Sequence, residues 1–386
     1  MNALGQRIAA LIAAQGPISV SQLMTMALHD PVAGYYSTRD PFGRGGDFTT
    51  APEISQMFGE LLGLWIAQCW HDQGKPRARL VELGPGRGTL MADALRAIGS
   101  AMQEFLDSVE IVLIEASPTL RDVQRETLSK FSAPPHPALS PLGGEGNDKV
   151  KPPSTPSGGE GRGEGVVNIE WRTHFDPSLN DRPLFLLANE FFDALPVNQY
   201  VKTERGWCER MVTVDASSAL TFAVSPVAAP DGFIPANRAS APIGAFYEIS
   251  PASTAFVQQI GEMISKNGGA ALIVDYGYGA DAGFGETLQA VRAHKFASVL
   301  DVPGEADLSA HVDFAALSNA ARAGGAKTFG PIGQGALLSA LGIAQRAQRL
   351  NQMTELERLT SPDQIGTLFK ALALVPNNTP PPAGFA

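Results

Sequence analysis

The chain has 386 residues, with 29 Lys or Arg against 39 Asp or Glu and a formal net charge of −10, a length that allows two or three compact units or one large domain with insertions. A hydrophobic share of 44% excludes bulk disorder, and the acidic balance argues against a general nucleic-acid binder, which needs a basic footprint. Two cysteines, Cys69 and Cys208, are too few for a disulfide framework, a four-cysteine zinc site or a cysteine-held iron–sulfur cluster, and read as thiols of a reducing compartment.

Residues 1–14 read as an amphipathic helix rather than a signal peptide, because helical sequence follows directly and no basic flank precedes. Ser19 and Gln22 have capping-box spacing and open a helix that Asp30-Pro31 stops near His29. A second box, Thr50 with Glu53, is expected to open one long helix carrying Ile54, Phe58, Leu61, Leu62, Trp65 and Cys69 on its core face. No window reaches about 18 uninterrupted apolar residues, so no transmembrane helix is expected.

The rhythm then changes. Residues 78–83 are a strand ending in Gly84-Pro-Gly-Arg-Gly88, a helix follows through Leu90, Ala94 and Ile98, and a second strand at 109–114 ends in Glu115. Strand, glycine loop, helix, strand and acidic residue make the first half of a doubly wound, mostly parallel α/β sheet of Rossmann-like type. Of the 34 residues at 132–165, 15 are Gly or Pro, so this segment reads as a disordered insertion. Strands resume at 166–171 and 184–188, the latter running into Asn189-Glu-Phe-Phe-Asp193. A β-rich excursion covers 197–250, a helix covers 250–266, and a buried strand at 270–274 ends in Asp275-Tyr276. A helix at 314–323, a strand at 327–329, further helices and a frayed Pro-rich tail complete the chain. The expected organisation is a helical cap over 1–75, a core over 76–340, and C-terminal helices and tail over 341–386.

The glycine loop carries the chemistry. A dinucleotide fingerprint needs a glycine at position 89, where Thr89 stands. The run Glu82-Leu-Gly84-Pro-Gly86-Arg-Gly88 instead resembles the first motif of class I S-adenosylmethionine-dependent methyltransferases. In that family Gly84, Gly86 and Gly88 would line the methionine and ribose end of the cofactor, with Glu82 close behind. Glu115 would accept hydrogen bonds from the ribose hydroxyls, with Ser117 nearby. Asp47, in the loop before the long helix, either closes over the cofactor or is a solvated charge.

Asn189, Glu190 and Asp193 follow a strand end, where open parallel sheets bind ligands, and surround two phenylalanines. Asp193 also reads as a helix cap. His311 and Asp313 are further candidates, and Asp275 or Tyr276 could touch substrate or cofactor. The six histidines show no paired metal-ligand spacing, so no metal is expected.

The motifs at 34–36, 46–53, 81–88, 189–196, 275–277 and 307–314, in this order, resemble the MidA family, whose members are similar to the mitochondrial complex I assembly-factor arginine methyltransferase. The resemblance implies S-adenosyl-L-methionine as cofactor and symmetric dimethylation of an arginine in a core subunit of NADH:ubiquinone oxidoreductase. It implies a place in the cytoplasm of a bacterium or the matrix of a mitochondrion. Arginine is protonated below a pKa of roughly 12, so a carboxylate must hold the guanidinium and help it lose a proton. Glu190 is the first choice for that contact and Asp193 the second. Two other readings remain open at this point: a non-catalytic assembly chaperone that binds the cofactor, and an NAD-dependent oxidoreductase.

Overall fold

The computed structural model describes residues 1–38, 50–131, 167–279 and 283–386. Asp47 and the insertion expected at 132–165 lie outside the described residues.

Besides the two-residue strand Val312–Asp313, which pairs in parallel with Gly277 and Tyr278, seven strands cross the central sheet among the described residues. In spatial order they are Ile169–Arg172, Val109–Ile114, Ala78–Leu83, Leu184–Asn189, Gly269–Tyr278, Phe369–Val375 and Lys327–Gly333. The first five pair in parallel, and Phe369–Val375 runs antiparallel to both its neighbours. A sheet of this kind is covered on both faces, which is why its strands read as continuous apolar runs. Alternate residues serve opposite layers. Leu80, Ile111, Leu113, Phe185 and Leu187 pack with helices Gln56–Asp72 and Thr89–Ala101. Val81, Leu83, Val112, Leu186 and Ile273 pack with helices Pro251–Asn267 and Phe314–Ala323.

The strand order reverses between Ala78–Leu83 and Leu184–Asn189, the place where open α/β sheets bind ligands. The register makes the carboxyl ends flush there: Leu83 is level with Ile114 and Ala188, and Asn189 with Val274. Gly84, Glu115 and Glu190 therefore leave the sheet along one edge, beside Asp275 of the strand Gly269–Tyr278.

The N-terminal helices Ala3–Gln15 and Val20–His29 share a separate core with the β-rich region, where Leu4, Ile8, Leu23 and Met24 meet Val197, Val212, Ala290 and Leu308. Ile18 and Ser19 pair antiparallel with Val212 and Met211. The capping box forms as expected, with Gln22 N–H donating to Ser19 Oγ at 3.1 Å and Ser19 N–H to Gln22 Oε1 at 2.9 Å. This unit carries Tyr36 to the sheet edge, where its hydroxyl donates to Asp307 Oδ1 at 2.8 Å. No helix among the described residues is long and apolar enough to cross a membrane.

Four expectations about the elements fail. The helix expected from Thr50 is two helices, Ala51–Ile54 and Gln56–Asp72, because Ser55 is extended (φ −161°) and caps the second through Met57 N–H at 3.1 Å. Glu53 does not close a box; it accepts the Thr89 hydroxyl at 2.5 Å. Residues Phe369–Val375, expected among C-terminal helices, form the strand between two others. The tail is docked rather than frayed: Trp65 Nε1 donates to the Ala383 carbonyl at 2.9 Å, and Phe385 meets the Trp65 ring edge-on at 6.2 Å.

Candidate active site

After Leu83 the chain turns through three left-handed glycines, Gly84 (φ 57°), Gly86 (φ 55°) and Gly88 (φ 81°), and Gly88 opens the helix Thr89–Ala101. Only glycine takes this conformation without cost. The loop is also tightly enclosed. A Cβ on Gly84 would stand 3.0 Å from the Phe191 ring, and one on Gly88 3.5 Å from the Gln124 side chain. Glu82 lies beneath the loop, 3% exposed, with Oε2 lacking any hydrogen-bond partner among the described residues. Burial and the nearby Glu115 push its carboxyl up to about 8. It faces a narrow recess shared with Thr50, Glu53, Asn189 and Glu190.

Glu115 follows the second strand and is 8% exposed. Its Oε1 accepts the Ser117 N–H at 2.8 Å and its Oε2 the Gln124 amide at 3.1 Å. Burial raises its pKa, while these donors and Arg121 pull the other way. The Ser117 hydroxyl caps helix Pro118–Thr127 through Leu120 N–H at 3.4 Å.

Glu190 is the one residue of its loop in the left-handed region (φ 50°), which strains a side-chain-bearing residue by about 1–3 kcal/mol. Its Oε1 accepts Asn189 Nδ2 at 3.1 Å and Ala51 N–H at 3.4 Å. Burial and Asp193 push Glu190 up to about 7, with no basic side chain among the described residues acting against them. Asp193 is itself pushed up to about 6 by burial, and its Oδ1 has no partner among the described residues. It caps no helix; residues 191–195 form a turn and irregular chain.

Asp275 has another occupation. Its Oδ2 accepts the N–H groups of Phe191, Phe192 and Asp193 at 3.2, 2.9 and 3.3 Å, and Oδ1 accepts Tyr276 N–H at 3.0 Å. It therefore clamps the Glu190 loop from inside the sheet. Its strand does not end there but continues to Tyr278.

These residues border a cleft of about 710 Å³ whose walls include Gly84, Gly86, Glu115, Ser117, Glu190 and Phe191. His29, Tyr36, Leu195 and Phe256 line its far side. The structure thus brings together the glycine loop, Glu82, Glu115, Ser117, Asn189 and Glu190. Asp193 is buried and does not line the cleft, and its charge acts on the neighbouring Tyr276. His311 and Asp313 lie elsewhere. His311 meets Tyr276 ring edge to face at 5.7 Å and lines a different cavity of about 260 Å³ with Arg238, Tyr247 and Glu248. Asp313 caps helix Phe314–Ala323 through Ala316 N–H at 2.9 Å.

Sequence reasoning missed Gln124 and Tyr36. Tyr36 stands in a family-like motif, a signal that gave it no role. Gln124 sits amid polar residues of a helix with no local mark of burial.

A family model described as "Putative S-adenosyl-L-methionine-dependent methyltransferase" matches residues 61–332. Protein arginine methyltransferase NDUFAF7, mitochondrial, of Bos taurus is 36% identical over 387 residues, spanning 95% of this chain and 82% of its own length. Its homolog in Drosophila melanogaster is 35% identical over 402 residues, spanning 97% and 85%. A Burkholderia thailandensis protein crystallised with S-adenosyl-homocysteine superposes at a TM-score of 0.81 and 29% identity, covering 100% of this chain and 94% of that one. The chain belongs to this family of S-adenosyl-L-methionine-dependent methyltransferases.

Proposed function

We propose that this chain transfers methyl groups to an arginine side chain of a protein substrate, with Glu190 as the residue that receives the guanidinium. The observation that carries the reading is the Glu190 carboxylate, set in the cleft wall next to the glycine loop without a basic partner among the described residues. The names of the relatives at 36% and 35% identity support the same substrate class.

The residues fit the cofactor. Glu82 Oε2 is a buried acceptor without a donor and suits the ammonium end, and Glu115 keeps acceptor capacity for two ribose hydroxyls. When bound, S-adenosylmethionine supplies a methyl group on a cationic sulfur. The protein's part is then positioning and proton handling. Glu190 holds the guanidinium by a charge-assisted hydrogen bond, while Asn189 Nδ2 and Ala51 N–H fix its orientation. As the nitrogen gains a carbon it loses one proton, which Glu190 accepts. A base with a pKa of about 7 is matched to that task near neutral pH. Tyr36, Leu195 and Phe256 add aromatic and apolar surface to the cleft wall. The resemblance set out above carries the reading further, to symmetric dimethylation and to a core subunit of the NADH:ubiquinone oxidoreductase.

The test is mass spectrometry of arginine methylation on that subunit, with Glu190→Gln beside the wild type. The variant should bind S-adenosylhomocysteine normally by calorimetry and methylate at least tenfold more slowly, about 1.4 kcal/mol of barrier. Methylation by Glu190→Gln at the wild-type rate would remove Glu190 from the reaction. A wild-type protein that binds the cofactor and methylates nothing in a lysate would favour the chaperone reading.

A further inference from the structure

We propose that Gln124 is a positioning residue for the cofactor, its side-chain amide tying the glycine loop to the ribose-binding carboxylate so that both are held as one rigid unit. The inference rests on the reading of Glu115 as the ribose ligand.

Gln124 is 0% exposed, on a helix whose neighbouring positions Asp122, Arg125 and Glu126 are polar. Burying an amide is costly unless its hydrogen bonds are replaced. Here three of them are, and each goes to a different segment. Nε2 donates to the Gly86 carbonyl at 2.8 Å and to Glu115 Oε2 at 3.1 Å, and Oε1 accepts Trp171 Nε1 at 3.0 Å. The indole N–H can only donate, so it fixes which end of the amide is oxygen. Both amide hydrogens are thereby aimed at the loop and the carboxylate.

The two targets are the parts of the site that need holding. Gly86 is a left-handed residue in a loop with no regular backbone ladder of its own. Glu115 has one oxygen fixed by Ser117 N–H at 2.8 Å, and Gln124 fixes the other. A carboxylate held at both oxygens presents its remaining lone pairs in set directions, which is what a vicinal diol requires. The Gln124 stem also backs Gly88, where a Cβ would meet it at 3.5 Å. Without the amide, the Gly86 carbonyl and the Trp171 N–H lose their partner, and Glu115 can rotate.

The experiment compares two probes by calorimetry, S-adenosylhomocysteine and its 2′,3′-dideoxy analogue, on the full chain. The wild type should prefer the ribose form. Gln124→Met keeps the length of the stem and removes the amide; it should weaken S-adenosylhomocysteine binding about tenfold and the dideoxy analogue, which needs the glycine loop but not Glu115, by clearly less, so that the preference narrows. Gln124→Leu should do the same, and serves if the first variant folds poorly. Equal weakening of both probes would show a merely structural residue and overturn the proposal, as would unchanged binding of S-adenosylhomocysteine. Glu115→Ala separates the two layers of argument. If it keeps the wild-type preference, the ribose reading of Glu115 fails. If it loses the preference while Gln124→Met retains it, the ribose reading stands and the assignment of Gln124 alone is wrong.

Discussion

Gly84→Ala tests whether the glycine loop is built by contact as well as by conformation. Two costs are legible. The residue has φ 57°, and a left-handed alanine costs about 1–2 kcal/mol. The added Cβ stands 3.0 Å from Phe191 Cδ2, closer than side chains normally approach, and overpacking of this sort costs about 1–3 kcal/mol. The ring borders the cleft, and retreat into it would break the contacts that hold the ring. It packs edge to face on Phe192 at 5.3 Å and Phe256 at 5.5 Å, and its N–H is tied to Asp275 at 3.2 Å. The variant should therefore lose about 2–5 kcal/mol in urea denaturation followed by tryptophan fluorescence. Because Phe191 lines the cleft, S-adenosylhomocysteine binding should fall by at least tenfold in calorimetry. Adding Phe191→Leu should recover part of the loss, a non-additivity that only direct contact explains. A Gly84→Ala protein within 0.5 kcal/mol of wild type, with unchanged cofactor affinity, would refute the packing argument.

Other outcomes follow from the same contacts. Deleting residues 379–386 should cost about 1–3 kcal/mol and red-shift tryptophan emission, because it uncovers Trp65, now 2% exposed, and removes the acceptor of its N–H; an unchanged denaturation midpoint would contradict the docking. From about pH 5, where the unfolded chain has lost these carboxyl protons, to about pH 8 the cofactor-free protein should lose stability as pH rises. Glu82 and Glu190, at about 8 and about 7, keep protons that the unfolded chain has already released, so raising pH favours unfolding. The slope should be on the order of 1 kcal/mol per pH unit between pH 7 and 8 and should flatten in Glu82→Gln; a slope of opposite sign would refute the burial argument.

Much of the sheet was legible because parallel strands buried on both faces announce themselves as short apolar runs ending in glycine or acid. Ala78–Leu83, followed by Gly84, and Val109–Ile114, followed by Glu115, are of this kind. Phe369–Val375 was not, since alternating Ala and Leu favour a helix as strongly as a strand, and its β state comes from two neighbours distant in sequence. The prolines of the tail rule out a helix but say nothing about docking on Trp65. In the site, the placement of the glycines and Glu115 at strand ends was readable because it is set by local backbone geometry. Gln124 and the Asp275 clamp were not, because each acts on groups 38 and 82–84 residues away.

The charge of the site also bears on a choice that the loop alone left open. A glycine loop leading into a helix N-terminus favours anions, and with a third glycine it would cradle a pyrophosphate. Here Glu82 lies under that loop and Glu190 beside it, both buried enough to be held partly protonated at neutral pH. A dinucleotide would bring its negative charges against these carboxylates and force them to stay neutral. A ligand with an ammonium and a sulfonium does the reverse, stabilising the ionised forms whose burial is otherwise unfavourable. On the proposed substrate side the same logic holds, since a guanidinium would be the counter-charge that Glu190 lacks among the described residues. The acidic residues and the Thr89 that breaks the dinucleotide pattern thus point the same way. On the proposed reading, Glu82 and Glu190 would be completed by cationic groups of cofactor and substrate, while Glu115 would accept the neutral ribose hydroxyls.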